Sequence, residues 1–362
     1  MKMGKKWKTI TLLLVPIIII KMYVANSQRV ETAYSTSIFA TVSSFFRRVT
    51  AIFPFSIGDI LYGLLIGWLL FQLIKMMRFL FAKPNQAQVL QYTKNSLYRL
   101  ITRGAALYIV FNLCWGINYN RKGIAWQMGL DKATYSTNEL KLLNQMLLQK
   151  VNSSKAEWIQ SGLSYPSEKV LFQQASAAYD SLQRTYSFLA YKPVSLKTSL
   201  WGWFGNYANF TGYYNPFTGE AQVNTTIPKF LLPFTSCHEI AHQLGYAKES
   251  EANFVGFLAA KASQQPLFTY SVYLDLFLYA NKNLFLKDSI VAKSFQKQLV
   301  VPVLNDLQEW RTFNQQHQVF FEPIITWMYG KFLENNQQPR GILSYDEVTG
   351  FMIAYYRKFG EL

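Results

Sequence analysis

The sequence predicts a mainly α-helical membrane protein: N-terminal transmembrane helices, then a mostly helical α+β domain with a small sheet. Three observations predict it. Apolar stretches crowd the first third of the chain, and the one at about 57–80 is almost free of charge until Lys75. That is enough to cross a hydrocarbon core of about 30 Å. Half of the 362 residues are hydrophobic and 17% are aromatic, which is rich for a soluble domain. Beyond about residue 120 the texture becomes that of an ordinary globular chain. The expected division is a membrane domain at 1–118 and a second domain at 119–362.

The first apolar run, about 9–25, follows Lys2, Lys5, Lys6 and Lys8 and is interrupted by Pro16 and Lys21. A cleaved signal peptide has the same outline. No small-x-small cleavage site follows, so an uncleaved anchor is expected, with Lys21 snorkelling to the interface. The second run, 57–80, is the clearest span. The third, Gly104 to Ile117, is shorter. With interfacial residues from Leu97 to Ile101 it would span at about 100–117, and the competing reading is a buried helix. Basic residues set the orientation. The N-terminal tail is dense in lysine, and Lys75, Arg78, Lys83, Lys94, Arg99 and Arg103 lie between the second and third runs. Arg29, Arg47 and Arg48 lie between the first and second. The N-terminus and second loop are then cytoplasmic. Three spans put everything after Asn118 on the extracytoplasmic side, and a different number would invert this.

In the second domain, Ser136-x-x-Glu139 reads as a capping box opening a helix to about Val151. A further helix is expected from Glu168 to about Phe188. From Val194 to Thr226, aromatics, Gly, Asn and Thr predict short strands with a turn at Asn215 to Gly219. Glu220 to Thr225 would be an edge strand for an extended peptide, or an ordinary hairpin arm. A helix follows Pro228 and stops at Gly245, a residue suited to a left-handed cap. Another runs from Glu249 to about Ser263, and three or four more complete the chain. Ser344-x-x-Glu347 caps the last, which carries an apolar stripe of Val348, Phe351, Met352 and Tyr355.

The net charge of +16 comes from dispersed Lys and Arg, many of them flanking apolar runs. This fits a lipid bilayer as partner. No nucleic-acid motif accompanies the charge, so nucleic acid is not expected as a partner. Cys114 and Cys237 form no disulfide framework. Cys237 precedes His238 and so points about 100° away from it around a helix. It is expected as a small buried hydrophobe rather than a ligand.

The chemistry centres on His238-Glu239-Ile240-Ala241-His242, an H-E-x-x-H segment holding two of the chain's three histidines. Four-residue spacing sets both imidazoles on one helix face, about one turn apart, where they can grip one zinc ion. Glu239 sits one step round, where a general base for an activated water belongs. It would take the water's proton and pass it to the leaving amine. A hydrolytic zinc site needs a third protein ligand. Glu249 is favoured, with Glu251 the alternative. Asn253, one turn after Glu249, is placed to support a ligand histidine from behind. Lys248 stands where the longer metzincin motif has histidine, which argues against that subclass. Tyr213, Tyr246 and Tyr345 are candidate oxyanion donors, none preferred. His317 lies in a Gln-rich stretch and reads as a solvated surface residue, with a hydrogen-bonding role in the transition state as the alternative. The expected activity is hydrolysis of a peptide or protein. The rivals are another amide, such as a cell-wall peptide, and a non-catalytic membrane scaffold with a structural metal.

The stretch HEIAHQLGYAKESEANFVGFLA also resembles the signature of an uncharacterised family of bacterial membrane proteins, known as a domain of unknown function. The resemblance covers most of the chain, through the closing Gly341 to Tyr356 segment. It implies N-terminal transmembrane helices followed by a zincin-like metallopeptidase domain. More distantly the stretch is similar to the gluzincin metallopeptidases, whose second helix carries Glu-x-x-Ala-Asp/Asn. On that pattern Glu249 is the matching ligand and Asn253 its supporting residue. The gap between the two motifs is shorter here than gluzincins commonly show.

Overall fold

The computed structural model describes residues 3–132, 134–319, 322–336 and 345–362. Helix α1 (Met3–Val24) runs through Pro16 without a break. A short α2 (Ser27–Arg29) leads into a π-helical stretch, Val30–Ile38, and then α3 (Phe39–Thr50). Next, α4 (Ile57–Phe81) and α5 (Gln86–Cys114) form a long antiparallel hairpin. Phe79 stacks on Tyr92 near its turn, and Arg103 lies over Trp68 further along. Helix α1 runs parallel to α5: Lys6 bonds Asn95 near one end and Lys21 lies over Tyr108 near the other. Chain direction therefore alternates through α1, α4 and α5.

Two helical segments, Lys6–Val24 and Ile57–Phe81, are long and apolar enough to cross a membrane. Only 6% and 11% of their most apolar windows is buried in protein, so they are not core helices of a water-soluble body. The expected third span does not reach the same apolarity. Its helix, α5, is 29 residues long and starts well before residue 100. A capping box of Asn85 and Gln88 opens it, and it carries Lys94, Arg99 and Arg103 along its length.

The segment between α1 and α4 is not a basic loop. Val30, Tyr34 and Phe39 pack with Trp115, Ile117, Tyr119 and Ala247 in a small apolar cluster. Arg47 is buried and donates to the Gln243 carbonyl, so its charge is used inside the protein. The globular body therefore draws on residues from both sides of position 118.

That body continues with α6 (Gly123–Met128), α7 (Thr137–Gln160), α8 (Glu168–Leu182), β1 (Leu196–Thr198), α9 (Gly202–Ala208), β2 (Gly212–Asn215) and β3 (Glu220–Val223). Then follow α10 (Leu232–Gln243), α11 (Glu249–Ala262), α12 (Pro266–Lys287), α13 (Ser289–Gln296), α14 (Val301–Gln316), α15 (Glu322–Asn335) and α16 (Tyr345–Phe359). The capping box of Ser136 and Glu139 is present. Its helix outruns the expected Val151 because Ser154, Lys155 and Trp158 continue the buried face. Ser344, the expected cap of the last helix, lies outside the described residues. Val348, Phe351, Met352 and Tyr355 are buried as a stripe on α16.

The sheet order is β1-β3-β2, with β1 parallel and β2 antiparallel to β3. Of the two readings of Glu220 to Thr225, the hairpin arm is the one found, and the strand is central rather than an edge. The turn at Asn215 to Gly219 pairs β2 with β3, and Leu196–Thr198 returns to cover β3's other side. The main core surrounds α10, α11 and α12, with Cys237, Ile240, Ala241, Phe254 and Phe257 fully buried.

Candidate metal centre

Helix α10 begins directly after a 3-10 turn at Lys229–Leu231, with Pro233 in its first turn. Pro there loses no needed hydrogen bond. Gly245, at φ +89°, ends it. Only a residue without Cβ takes that conformation at little cost, so the chain can turn sharply into α11. The two helices cross closely because of Gly256. A Cβ there would lie 3.1 Å from the Phe234 ring and 3.2 Å from the His238 nitrogen.

The crossing brings three side chains together. Glu249 Oε2 lies 3.2 Å from His238 Nε2 and 3.7 Å from His242 Nε2. The donor atoms of His238, His242 and Glu249 all fall within 4.8 Å of one another. Each imidazole is held from behind. His242 Nδ1 donates to the Tyr246 carbonyl at 2.7 Å, and His238 Nδ1 meets Asn253 Oδ1 at 2.8 Å. Both partners accept, so the hydrogens sit on Nδ1 and the Nε2 lone pairs face Glu249.

Electrostatics follow from burial and proximity. Burial disfavours charge on His238, but its hydrogen bond to Glu249 and the charges of Glu239 and Glu249 outweigh this and push it up to about 9. Burial alone would raise Glu249, yet the bonds from both histidines hold it well below the usual carboxylate range.

Glu239 is buried beside this cluster, and its Oε2 has no hydrogen-bond partner among the described residues. Burial pushes it up to about 7 against the opposing pull of His238 and His242. Its space is made by Gly212 at the start of β2, where a Cβ would lie 2.5 Å from Glu239 Oε1.

Glu251 is turned away. Its carboxylate packs on Gly123, where a Cβ would come within 1.8 Å of Oε1. Behind it Arg121 donates to Glu31 at 2.6 and 3.0 Å and to the Gly245 carbonyl at 3.1 Å. The structure therefore brings Glu249 to the histidines and leaves Glu251 on the opposite side. Cys237 is fully buried in the main core, and burial raises its thiol pKa. His317 bonds the Phe313 carbonyl and packs against Tyr207, apart from the cluster. The Tyr246 hydroxyl is spent on Gln127, and that of Tyr213 on Asp59 and Ser199. The Tyr345 side chain lies outside what the structure describes.

Sequence reasoning missed several supports. Gly212 left no local signal. Gly256 left one, a glycine within an apolar helix. Trp115, directly after α5, sits edge-on to His242 with ring centres 6.0 Å apart. Asp275, an isolated acid in an apolar stretch of α12, interacts with His238 and is itself pushed by burial up to about 7.

Residues 34–353 match the family described as "Protein of unknown function (DUF3810)". The chain belongs to that family. The match takes in α3, the α4–α5 hairpin and every residue of the cluster. No curated protein and no solved structure matches the chain.

Proposed function

We propose that this member of the family is a membrane-anchored, zinc-dependent peptidase whose globular body faces the extracytoplasmic side. The observation that carries the reading is the convergence of two Nε2 atoms and one carboxylate within 4.8 Å, each imidazole fixed from behind. The donors fit zinc, which takes His nitrogen and carboxylate oxygen and keeps one position open in hydrolytic sites. When bound, zinc would act as a Lewis acid and bring the pKa of a water to about 7. His238, His242 and Glu249 would hold the ion, with Asn253 and the Tyr246 carbonyl fixing ring orientation. Glu239 would accept the water's proton and deliver it to the leaving amine. A peptide could add to β2, an edge strand that begins beside Glu239. A buried carboxylate oxygen with no partner supports catalysis over a purely structural metal, which has no use for it. The extracytoplasmic side follows from the lysine-rich start and the basic α4–α5 turn under the positive-inside rule.

Metal analysis of the purified chain should give about one zinc. Glu239→Gln should keep that zinc and lower hydrolysis of a randomised peptide library by about 10²–10⁴-fold. Absence of metal from the unsubstituted chain ends the reading, and full activity in the variant removes Glu239 from the base role. Added protease should reach the body in intact cells; protection would reverse the assigned side.

A further inference from the structure

Helix α3 has two faces of opposite character. Phe39, Ser43, Arg47 and Thr50 are buried against the body. Ser43 Oγ and Arg47 Nη1 each donate to the Gln243 carbonyl at 2.9 Å, and Thr50 meets Ser195 at 2.8 Å. The opposite face, with its flanking residues, is exposed and mainly apolar: Ile38 is 53% exposed, Phe45 61%, Val49 43% and Ile52 77%, with Thr41 and Arg48 exposed among them. Among the described residues nothing covers it.

The position of this face follows from where the segment begins and ends. It is joined at one end to α1 and at the other to α4, the two helices apolar enough to cross a membrane. Antiparallel α1 and α4 leave Val24 and Ile57 at the same end of the helical bundle, so the intervening chain stays beside the bilayer surface. A second bare patch is pinned to the same place. Trp201 Nε1 donates to the Asp59 carbonyl in the first turn of α4 at 3.0 Å. Beside it Leu200 is 58% exposed, Trp203 70% and Phe204 48%. Aromatic and aliphatic side chains at the end of a spanning helix suit the headgroup layer.

We propose that the outer face of α3, together with the patch at the start of α9, is a docking surface for the bilayer interface, and that it seats the metal centre at the membrane surface. The inner face of α3 grips the carbonyl of Gln243, the residue after His242. One helix, about 10 Å across, then separates the end of the metal-binding helix from lipid. Trp115 gives a second link, since it joins the end of α5 to His242. This rests on the membrane reading of α1 and α4 and not on hydrolysis.

The test uses the full chain in phospholipid vesicles, in a Cys114→Ser background, with Cys237 buried beyond reach of the label. Phe45→Cys and Val49→Cys carry an environment-sensitive fluorophore, and Gln160→Cys at the exposed C-terminal end of α7 is the control. Doxyl-labelled lipid should quench positions 45 and 49 several-fold more than 160, and iodide should do the reverse. In the unsubstituted chain, a carbene-generating photolipid should label the peptide spanning 38–52, which serves if a variant fails to fold. Iodide quenching at 45 and 49 equal to that at 160, in protein that floats with vesicles, overturns the proposal. So does shielding from both quenchers with label-to-label coupling, which would make a second copy the occupant. Protein that does not float with vesicles removes the membrane reading itself.

Discussion

Two buried carboxylate clusters flank the first turn of α11, and they are built differently. On one side Glu31 meets Arg121 in a two-pronged ion pair at 2.6 and 3.0 Å, and also accepts from the Gly123 amide and Gln127. Its charge is neutralised by the protein. On the other side Glu249 meets two imidazoles whose far nitrogens are already engaged, and Glu239 has an oxygen with no partner among the described residues. Here the protein supplies carboxylates and imidazoles, with no lysine or arginine acting on either carboxylate. A buried charge costs several kcal/mol unless it is compensated. The first cluster therefore reads as architecture, and the second as a place for a metal ion. Glu251, two residues from Glu249, belongs to the first side.

The contrast is broken most forcefully at Arg121. Arg121→Met leaves Glu31, 1% exposed, without its counter-charge, and should lower stability by about 3–5 kcal/mol. Denaturant unfolding in detergent or lipid measures it, and a loss under about 1 kcal/mol would show that the pair is not structural. At Gly212 the two clusters should separate by readout. Gly212→Ala places a methyl against Glu239 and the Gln222 carbonyl, so the base must move. Hydrolysis should fall by about 10²-fold, the scale of a 1 Å misplacement, with zinc content unchanged. Loss of zinc instead would mean that β2 supports the metal itself. The smallest effect is expected at Glu251. Its carboxylate packs on Gly123, away from the histidines, so Glu251→Gln leaves the three converging donors in place. Zinc stoichiometry should stay at the unsubstituted value, whereas Glu249→Gln should lose it. A metal-free Glu251→Gln protein would reverse the assignment of the third ligand.

Much of this was legible in local sequence. Four-residue spacing placed His238 and His242 on one face, and Gly245 marked the end of their helix. The choice of Glu249 over Glu251 was foreshadowed by its one-turn relation to Asn253, which the bond from Asn253 to His238 reproduces. The strand order was not legible, and only the hairpin-arm reading of Glu220 to Thr225 holds. Pattern identifies a strand such as Glu220–Val223 but not its neighbours, and β1 reaches it from more than twenty residues upstream. Arg47 departs from its expected place for a related reason, while Arg29 and Arg48 are exposed. Arg47 looks like a loop cation in sequence, and only packing shows it inside, bonded to Gln243.

By itself, the sequence determined the mainly helical class, two apolar helices long enough to span, and a histidine pair with an adjacent base. These depend on periodicity and on residues within about one helical turn, which a chain carries locally. Tertiary structure decided the rest: which glutamate meets the histidines, how Gly256 and Gly212 make room, and how α3 packs on the end of the histidine helix. Those relations depend on contacts between segments far apart in the chain, with geometry set by packing of the whole body.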